Sequence, residues 1–218
     1  MVEESSPDAG TAKGQVTTVE LTRAQRTVAR RVAEAKATIP DFTLTADVDM
    51  AAAAATGAGH DALLVKACAL ALRDVPRANA SYRDGGFELY SRVNVGITVT
   101  TEDALLVPTI FDADAKAVDQ IAEEARALAR KARDGTITSP ELSGATFTVA
   151  DLGADGATSG TAIIHGGQAA ILAFGAVSGG RMTATLTCDH RILYGAHATR
   201  FLARIRALLE DPAPLLAS

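Results

Sequence analysis

At 218 residues, 48% of them apolar, the chain is long enough to bury one sizeable core or two small ones. A formal charge of −5 and the lack of any Lys/Arg block exclude a nucleic-acid surface, and no apolar run reaches membrane-spanning length. Two cysteines, Cys68 and Cys188, make no disulfide framework, and the acidic N-terminus is unlike a signal peptide, so a reducing cytoplasm is expected.

Residues 1–14 carry almost nothing apolar, which predicts a disordered tail over residues 1–16 and a single catalytic domain over 17–218. Leu21 to Lys36 reads as a helix with Thr22 as N-cap and Val28, Val32 and Ala35 on one face. Ile39 to Met50 alternates as a strand. Ala51 to His60 is short and rich in small residues, so a peripheral element is expected to be missing there. Asp61 to Val75 predicts an Ala/Leu helix capped by Asp61 and ended by Pro76. Phe87 to Ser91, Val93 to Thr100 and Leu105 to Ile110 read as strands. Val118 to Asp134 reads as a helix with a charged outer face, and Phe147 to Ala150 and Ala169 to Gly175 as further strands.

The stretch with the most chemistry follows. Thr183 to Thr187 alternates as a strand, and Cys188-Asp189-His190-Arg191 then crowds ionisable groups at its end, ahead of Gly195 and a helix over Ala196 to Leu209. A histidine at a strand end before a glycine turn can be aimed into a cleft and act as a general base near neutral pH. His60, His165 and His197 read as surface residues, and no His/Cys/carboxylate spacing predicts a metal site. Strands and helices mix without strict alternation, which indicates an α+β sandwich of helices on a mixed sheet.

Asp189-His190-Arg191 followed by Gly195 resembles the Asp-His-Arg-x-x-(Asp/Asn)-Gly signature of the dihydrolipoamide acyltransferase cores of 2-oxo acid dehydrogenase complexes. That family is similar in fold to chloramphenicol acetyltransferase. Arg77-Ala-Asn-Ala-Ser-Tyr82 resembles its Pro-x-x-Asn-Ala-Ser link, and Phe147-Thr-Val-Ala-Asp-Leu-Gly153 its Phe-Thr-(Ile/Val)-Ser-Asn-Leu-Gly segment. The resemblance implies acyl exchange with acetyl-CoA as substrate and no metal, His190 as the base, Gly153 at the cofactor, and a homotrimer with active sites between subunits.

Three departures set the chain apart. The family's oxyanion serine is Ala150 here, which leaves Thr148, Asp151 and Tyr194 as the oxyanion or substrate candidates. Tyr194 stands where the family has Asp or Asn, and Gln25 where an arginine would pair with that carboxylate, so both halves of an ion pair are gone together. Ile164-His-Gly-Gly-Gln168 replaces Asn-Pro-Pro-Gln, which predicts a looser loop. The residues that resemble the core begin near the start of the sequence, so no covalently bound lipoyl group is expected in this chain. These features together predict a free-standing acyltransferase acting on a small-molecule hydroxyl, as in tetronate-type natural-product assembly. A dehydrogenase-complex core and a non-catalytic trimeric scaffold are the alternatives.

Overall fold

The computed structural model describes residues 12–101, 104–154 and 156–217. Most of the expected tail, residues 1–11, lies outside the described residues, and residues 12–16 are exposed.

Helix α1, Arg23–Thr38, begins as its sequence predicts. Thr22 accepts from the Gln25 amide and Gln25 Oε1 accepts from the Thr22 amide, a reciprocal cap. Of this helix only Ala35 is buried. Strand β1, Asp41–Asp49, follows, and then a five-residue helix α2, Ala51–Ala55, which is all that occupies the region of the missing peripheral element.

Helix α3, His60–Asp74, is buried from Ala62 to Ala69 and again at Ala71 and Leu72, so it is apolar on nearly every side. That is the mark of a central helix. Its N-cap is Gly59 rather than Asp61, which sits inside the first turn, where a carboxylate favours the helix dipole without capping. The one polar side chain inside α3's core run, Lys66, is fully buried. Its ammonium donates to the carbonyls of Asp114 and Lys116 at 2.9 and 2.6 Å, and burial pushes its pKa below the ordinary lysine value.

Two expected strands are each broken in two, and a linking segment is itself a strand. β2 (Ala80–Arg83) pairs with β3 (Gly86–Leu89) as a hairpin, so the Asn-Ala-Ser segment enters a sheet of its own. The stretch from Val93 divides into β4 (Val95–Ile97) and β5 (Val99–Thr100), and the next into β6 (Leu105–Leu106) and β7 (Thr109–Ile110). Pro108 has no N–H to donate, and its carbonyl accepts from Ile97 instead. Helix α4 (Val118–Arg133), strands β8 (Phe147–Asp151), β9 (Ala170–Phe174) and β10 (Arg181–Asp189), helix α5 (Gly195–Glu210) and a last turn α6 (Ala213–Leu216) complete the chain.

The main sheet runs β1-β10-β9-β8-β4-β7. It is mixed: β8 is parallel to β9 and to β4, and the other pairings are antiparallel. Helices α3 and α5 cover one face, with Phe147, Leu172, Leu186 and Cys188 pointing toward them. On α5 the inward stripe is Ala198, Phe201, Leu202, Ile205, Leu208 and Leu209, and Phe201 meets the Phe147 ring edge-on at 5.5 Å. The other face carries a small apolar cluster of Ala150, Ile164, Ile171 and Ala173 beside a threonine ladder on β1 and β10. An α+β sandwich of helices on a mixed sheet is thus observed. Near the C-terminus Leu215 is fully buried in the chain's own core, while Leu216 stays exposed.

Candidate active site

The turn after β10 is held from inside by its own acid and base. Asp189 is buried, and its carboxylate accepts from the Arg191 amide at 2.9 Å, from Arg191 Nε at 2.9 Å and from Arg191 Nη2 at 2.7 Å. Arg191 also lies over the Tyr82 ring at 4.2 Å. With its two neighbours turned inward, His190 is left exposed at the surface. Its amide donates to the Pro40 carbonyl, and its ring rests 4.8 Å from Phe42 and 5.7 Å from Tyr194. An exposed imidazole on a fixed turn is able to take a proton from an incoming thiol or hydroxyl.

Of the sequence-derived candidates, only Tyr194 is brought beside His190. Thr148 is fully buried on β8, and its hydroxyl donates to Gln168 Oε1 at 2.8 Å, so its one proton is already committed. Asp151 folds its carboxylate over the next turn, accepting from the amides of Gly153 and Ala154 at 2.7 and 3.1 Å. Desolvation, followed by the Asp151 charge, raises the carboxyl pKa of nearby Asp61. Gly153 has a packing reason to be glycine: a Cβ there would lie 2.4 Å from the Ala176 amide nitrogen.

Ala150, the position of the family's oxyanion serine, lies across from Ala173, which lies across from Thr185. Two strand spacings across and five residues along separate it from His190, roughly 19 Å by standard strand dimensions. Within one chain the base and the oxyanion position therefore cannot act on one carbonyl.

The loop that was expected to be slack is tied down. Gly167 takes a left-handed φ of +87°, and its carbonyl accepts from the Tyr90 phenol at 2.9 Å. Gln168 is buried and bridges Thr148 to the Ala145 carbonyl. His165 is half-buried rather than exposed, and burial, with the Arg31 charge adding, lowers its pKa. His60 and His197 are likewise half-buried. The Cys188 thiol, just before the turn that carries His190, points into the opposite core, where burial pushes its pKa up to about 12. Among the described residues no three His, Cys, Asp or Glu side chains gather as a metal site.

Nothing in the spacing of the chain points to Arg77, yet it contacts this loop at two residues, Ile192 and Tyr194. Its Nε donates to the Ile192 carbonyl at 2.5 Å, and its guanidinium lies 5.0 Å over the Tyr194 ring and 4.7 Å over that of Phe87. A contact between residues this far apart in sequence leaves no periodic signal.

The chain is similar to known acyltransferases along nearly all its length. It is 34% identical over 224 residues to dihydrolipoyllysine-residue acetyltransferase component 2 of the mitochondrial pyruvate dehydrogenase complex of Arabidopsis thaliana, covering 89% of this chain and 42% of that protein. It thus spans less than half the length of that curated relative. The structure of dihydrolipoamide acetyltransferase from Azotobacter vinelandii superposes with a TM-score of 0.87 at 29% identity, covering 99% of this chain and 100% of that one. That enzyme's mechanism has been probed at a serine, a histidine and an asparagine four positions beyond it, the spacing of His190 and Tyr194 here. The cubic core of a pyruvate dehydrogenase multienzyme complex gives the same TM-score of 0.87 at 30% identity, with 99% and 100% of the two chains covered. Chloramphenicol acetyltransferase shares the fold, with a TM-score of 0.55 at 15% identity over 83% of this chain and 94% of that one.

These relatives overturn one expectation. The short chain and altered loop pointed to a natural-product hydroxyl as acceptor, whereas the proteins that match nearly the whole chain are acetyltransferase components of dehydrogenase complexes. The loop departures were over-read, because Tyr90 and Gln168 supply the order that two prolines would otherwise give. The catalytic-domain model of the 2-oxoacid dehydrogenase acyltransferases matches residues 13–217, and the chain belongs to that acyltransferase family.

Proposed function

We propose that the chain is the acetyltransferase core of a pyruvate dehydrogenase-type complex, moving an acetyl group between CoA and the dihydrolipoyl thiol of a lipoyl-lysine arm. The observation that carries this reading is His190, exposed at the end of β10 on a turn whose neighbours Asp189 and Arg191 are locked together beneath it. The imidazole takes the proton of the attacking thiol as its sulfur bonds to the thioester carbonyl carbon. The tetrahedral intermediate then collapses, the bond to the first sulfur breaks, and the imidazolium returns the proton to the departing thiolate. Such general-base assistance is worth about 10²–10⁴ in rate.

The separation of roughly 19 Å between His190 and Ala150, reckoned from strand geometry, supports a site completed by a second copy, with the base of one subunit facing β8 of the next. A homotrimer is the assembly proposed. With Ala150 offering no hydroxyl, the Tyr194 phenol is the candidate donor nearest the base.

The test is transfer from acetyl-CoA to dihydrolipoamide, with free CoA and S-acetyldihydrolipoamide quantified by chromatography. The wild type should turn over, and His190→Ala should lose about 10²-fold or more. Retention of more than a tenth of the rate removes His190 as the base. A wild type inert toward dihydrolipoamide removes the acceptor. Light scattering on a sizing column that reports a monomer at micromolar concentration removes the shared site.

A further inference from the structure

Where the family pattern has Asp or Asn four residues after the histidine, this chain places a phenol ring, and the structure supplies that ring with a cation from elsewhere. Arg77 comes from the short helical turn between α3 and β2, 115 residues before its hydrogen-bond partner Ile192. It engages the loop in two ways at once. Nε donates to the Ile192 carbonyl at 2.5 Å, which fixes the backbone two residues past His190. The planar guanidinium is stacked on Tyr194 at 5.0 Å, which fixes the side chain whose ring lies 5.7 Å from the His190 ring. Phe87, on hairpin strand β3, contacts the same guanidinium at 4.7 Å, so the cation has aromatic contacts to two elements.

The same hairpin reaches the turn again through Tyr82, under Arg191 at 4.2 Å. Only an arginine can form this arrangement fully. A planar, delocalised cation stacks and donates along its edge together, whereas an ammonium does one or the other. Among the described residues no carboxylate pairs with Arg77, so its charge is directed at the π faces and the carbonyl dipole.

We propose that Arg77 is the positioning residue of this acyltransferase, and that the Arg77–Tyr194 stack, buttressed by Phe87, replaces an Arg–carboxylate pair in holding the loop that presents His190. Arg77 touches neither thioester nor thiol in this role. It acts through Tyr194 and the Ile192 carbonyl. The inference rests on His190 being the base.

The experiment measures acetyl transfer to dihydrolipoamide for Arg77→Ala, Arg77→Lys, Tyr194→Leu and the Arg77→Ala/Tyr194→Leu double variant, with His190→Ala alongside. Misplacing a catalytic group by about 1 Å is enough to cost on the order of 10²-fold. Arg77→Ala should therefore lower kcat by about 10- to 100-fold, with KM for acetyl-CoA within about twofold. Arg77→Lys, which keeps a donor for the Ile192 carbonyl but not the broad stack, should fall between the two. The double variant should be within about threefold of Tyr194→Leu, because that substitution removes the phenol and with it the whole stack that Arg77→Ala would remove.

A readout independent of turnover is amide hydrogen exchange in the peptide spanning residues 189–196. It should quicken in Arg77→Ala while protection in α3 and β9 is unchanged, which also certifies that the variant is folded. Losses that multiply in the double variant, a kcat above half the wild-type value, or unchanged exchange in the loop would each overturn the proposal. So would a KM raised tenfold or more at steady kcat, since that is the signature of direct substrate binding. If instead His190→Ala remains active, the catalytic reading itself fails, while the exchange result still reports whether the clamp exists.

Discussion

Replacing Asp189 with asparagine probes the turn beneath the base at nearly constant volume. The Asp189 carboxylate has 1% exposure and accepts from Arg191 at its amide, at Nε and at Nη2. In Asp189→Asn the remaining Oδ1 can still serve the Arg191 amide, so the turn is not abolished. The new amide NH₂, however, faces Arg191 Nη2, donor against donor. The bond lost is charge-assisted, worth about 1.5–3 kcal/mol, and a buried donor left unmatched adds about 1–3 kcal/mol. Arg191's side chain is 28% exposed and keeps Tyr82 beneath it, so it is not stranded as a fully buried charge, and the lower ends apply. The sum is about 2.5 kcal/mol, or a fall in Tm of about 5–10 °C for a chain of this length. Differential scanning calorimetry at one fixed protein concentration measures it. A Tm drop under about 2 °C would refute the reasoning, since it would mean the ion pair beneath His190 is replaceable by solvent.

Further outcomes are expected elsewhere. Ala150→Ser restores the family's hydroxyl and should raise turnover with dihydrolipoamide by up to about 10²-fold, read in the same chromatographic assay; an unchanged rate would mean Tyr194 or another donor already serves. Gly153→Ala drives a Cβ to 2.4 Å from the Ala176 nitrogen and should cost about 1–3 kcal/mol in urea unfolding. His165 has a folded pKa below its unfolded value, so below pH 6.5 the unfolded chain binds more protons and stability falls with pH. The contribution is complete above the unfolded pKa and is lost as pH drops through the folded one. His165→Gln should therefore flatten the stability profile below about pH 6.5, as followed by thermal melts. Lys66→Ala strips two carbonyls of their donor and opens a cavity in α3's packing, with an expected loss of about 2–4 kcal/mol.

The helices were legible because a helix face is a local property. Thr22 announces α1, and the stripe from Ala198 to Leu209 announces α5, with no knowledge of what they meet. Strand divisions were not legible, because they follow partners. Val93 to Thr100 looks continuous, yet Val95–Ile97 pairs with β7 and β8 while Val99–Thr100 pairs with β6. At the site, the motif residues around His190 were readable from their order alone. The commitment of the Thr148 hydroxyl to Gln168 and the stacking of Arg77 on Tyr194 were not, since both join distant stretches. The acceptor was misjudged for a related reason: Gly166 and Gly167 look permissive in sequence, and the Tyr90 phenol that restrains Gly167 lies on another loop.

Helix α1 has a thermodynamic consequence for how the chain comes together. Sixteen residues long and buried only at Ala35, it gains almost nothing from the core of its own subunit. Helices near this length are marginal in water when nothing packs on them, because nucleation costs more than a few turns return. In the proposed trimer its order is on loan from a neighbouring subunit, which would couple the helix–coil equilibrium of residues 23–38 by mass action to association. Dilution of that trimer should melt this segment first, leaving the sheet and α3 intact, and the expected sign is a far-ultraviolet ellipticity that changes with concentration as well as with temperature.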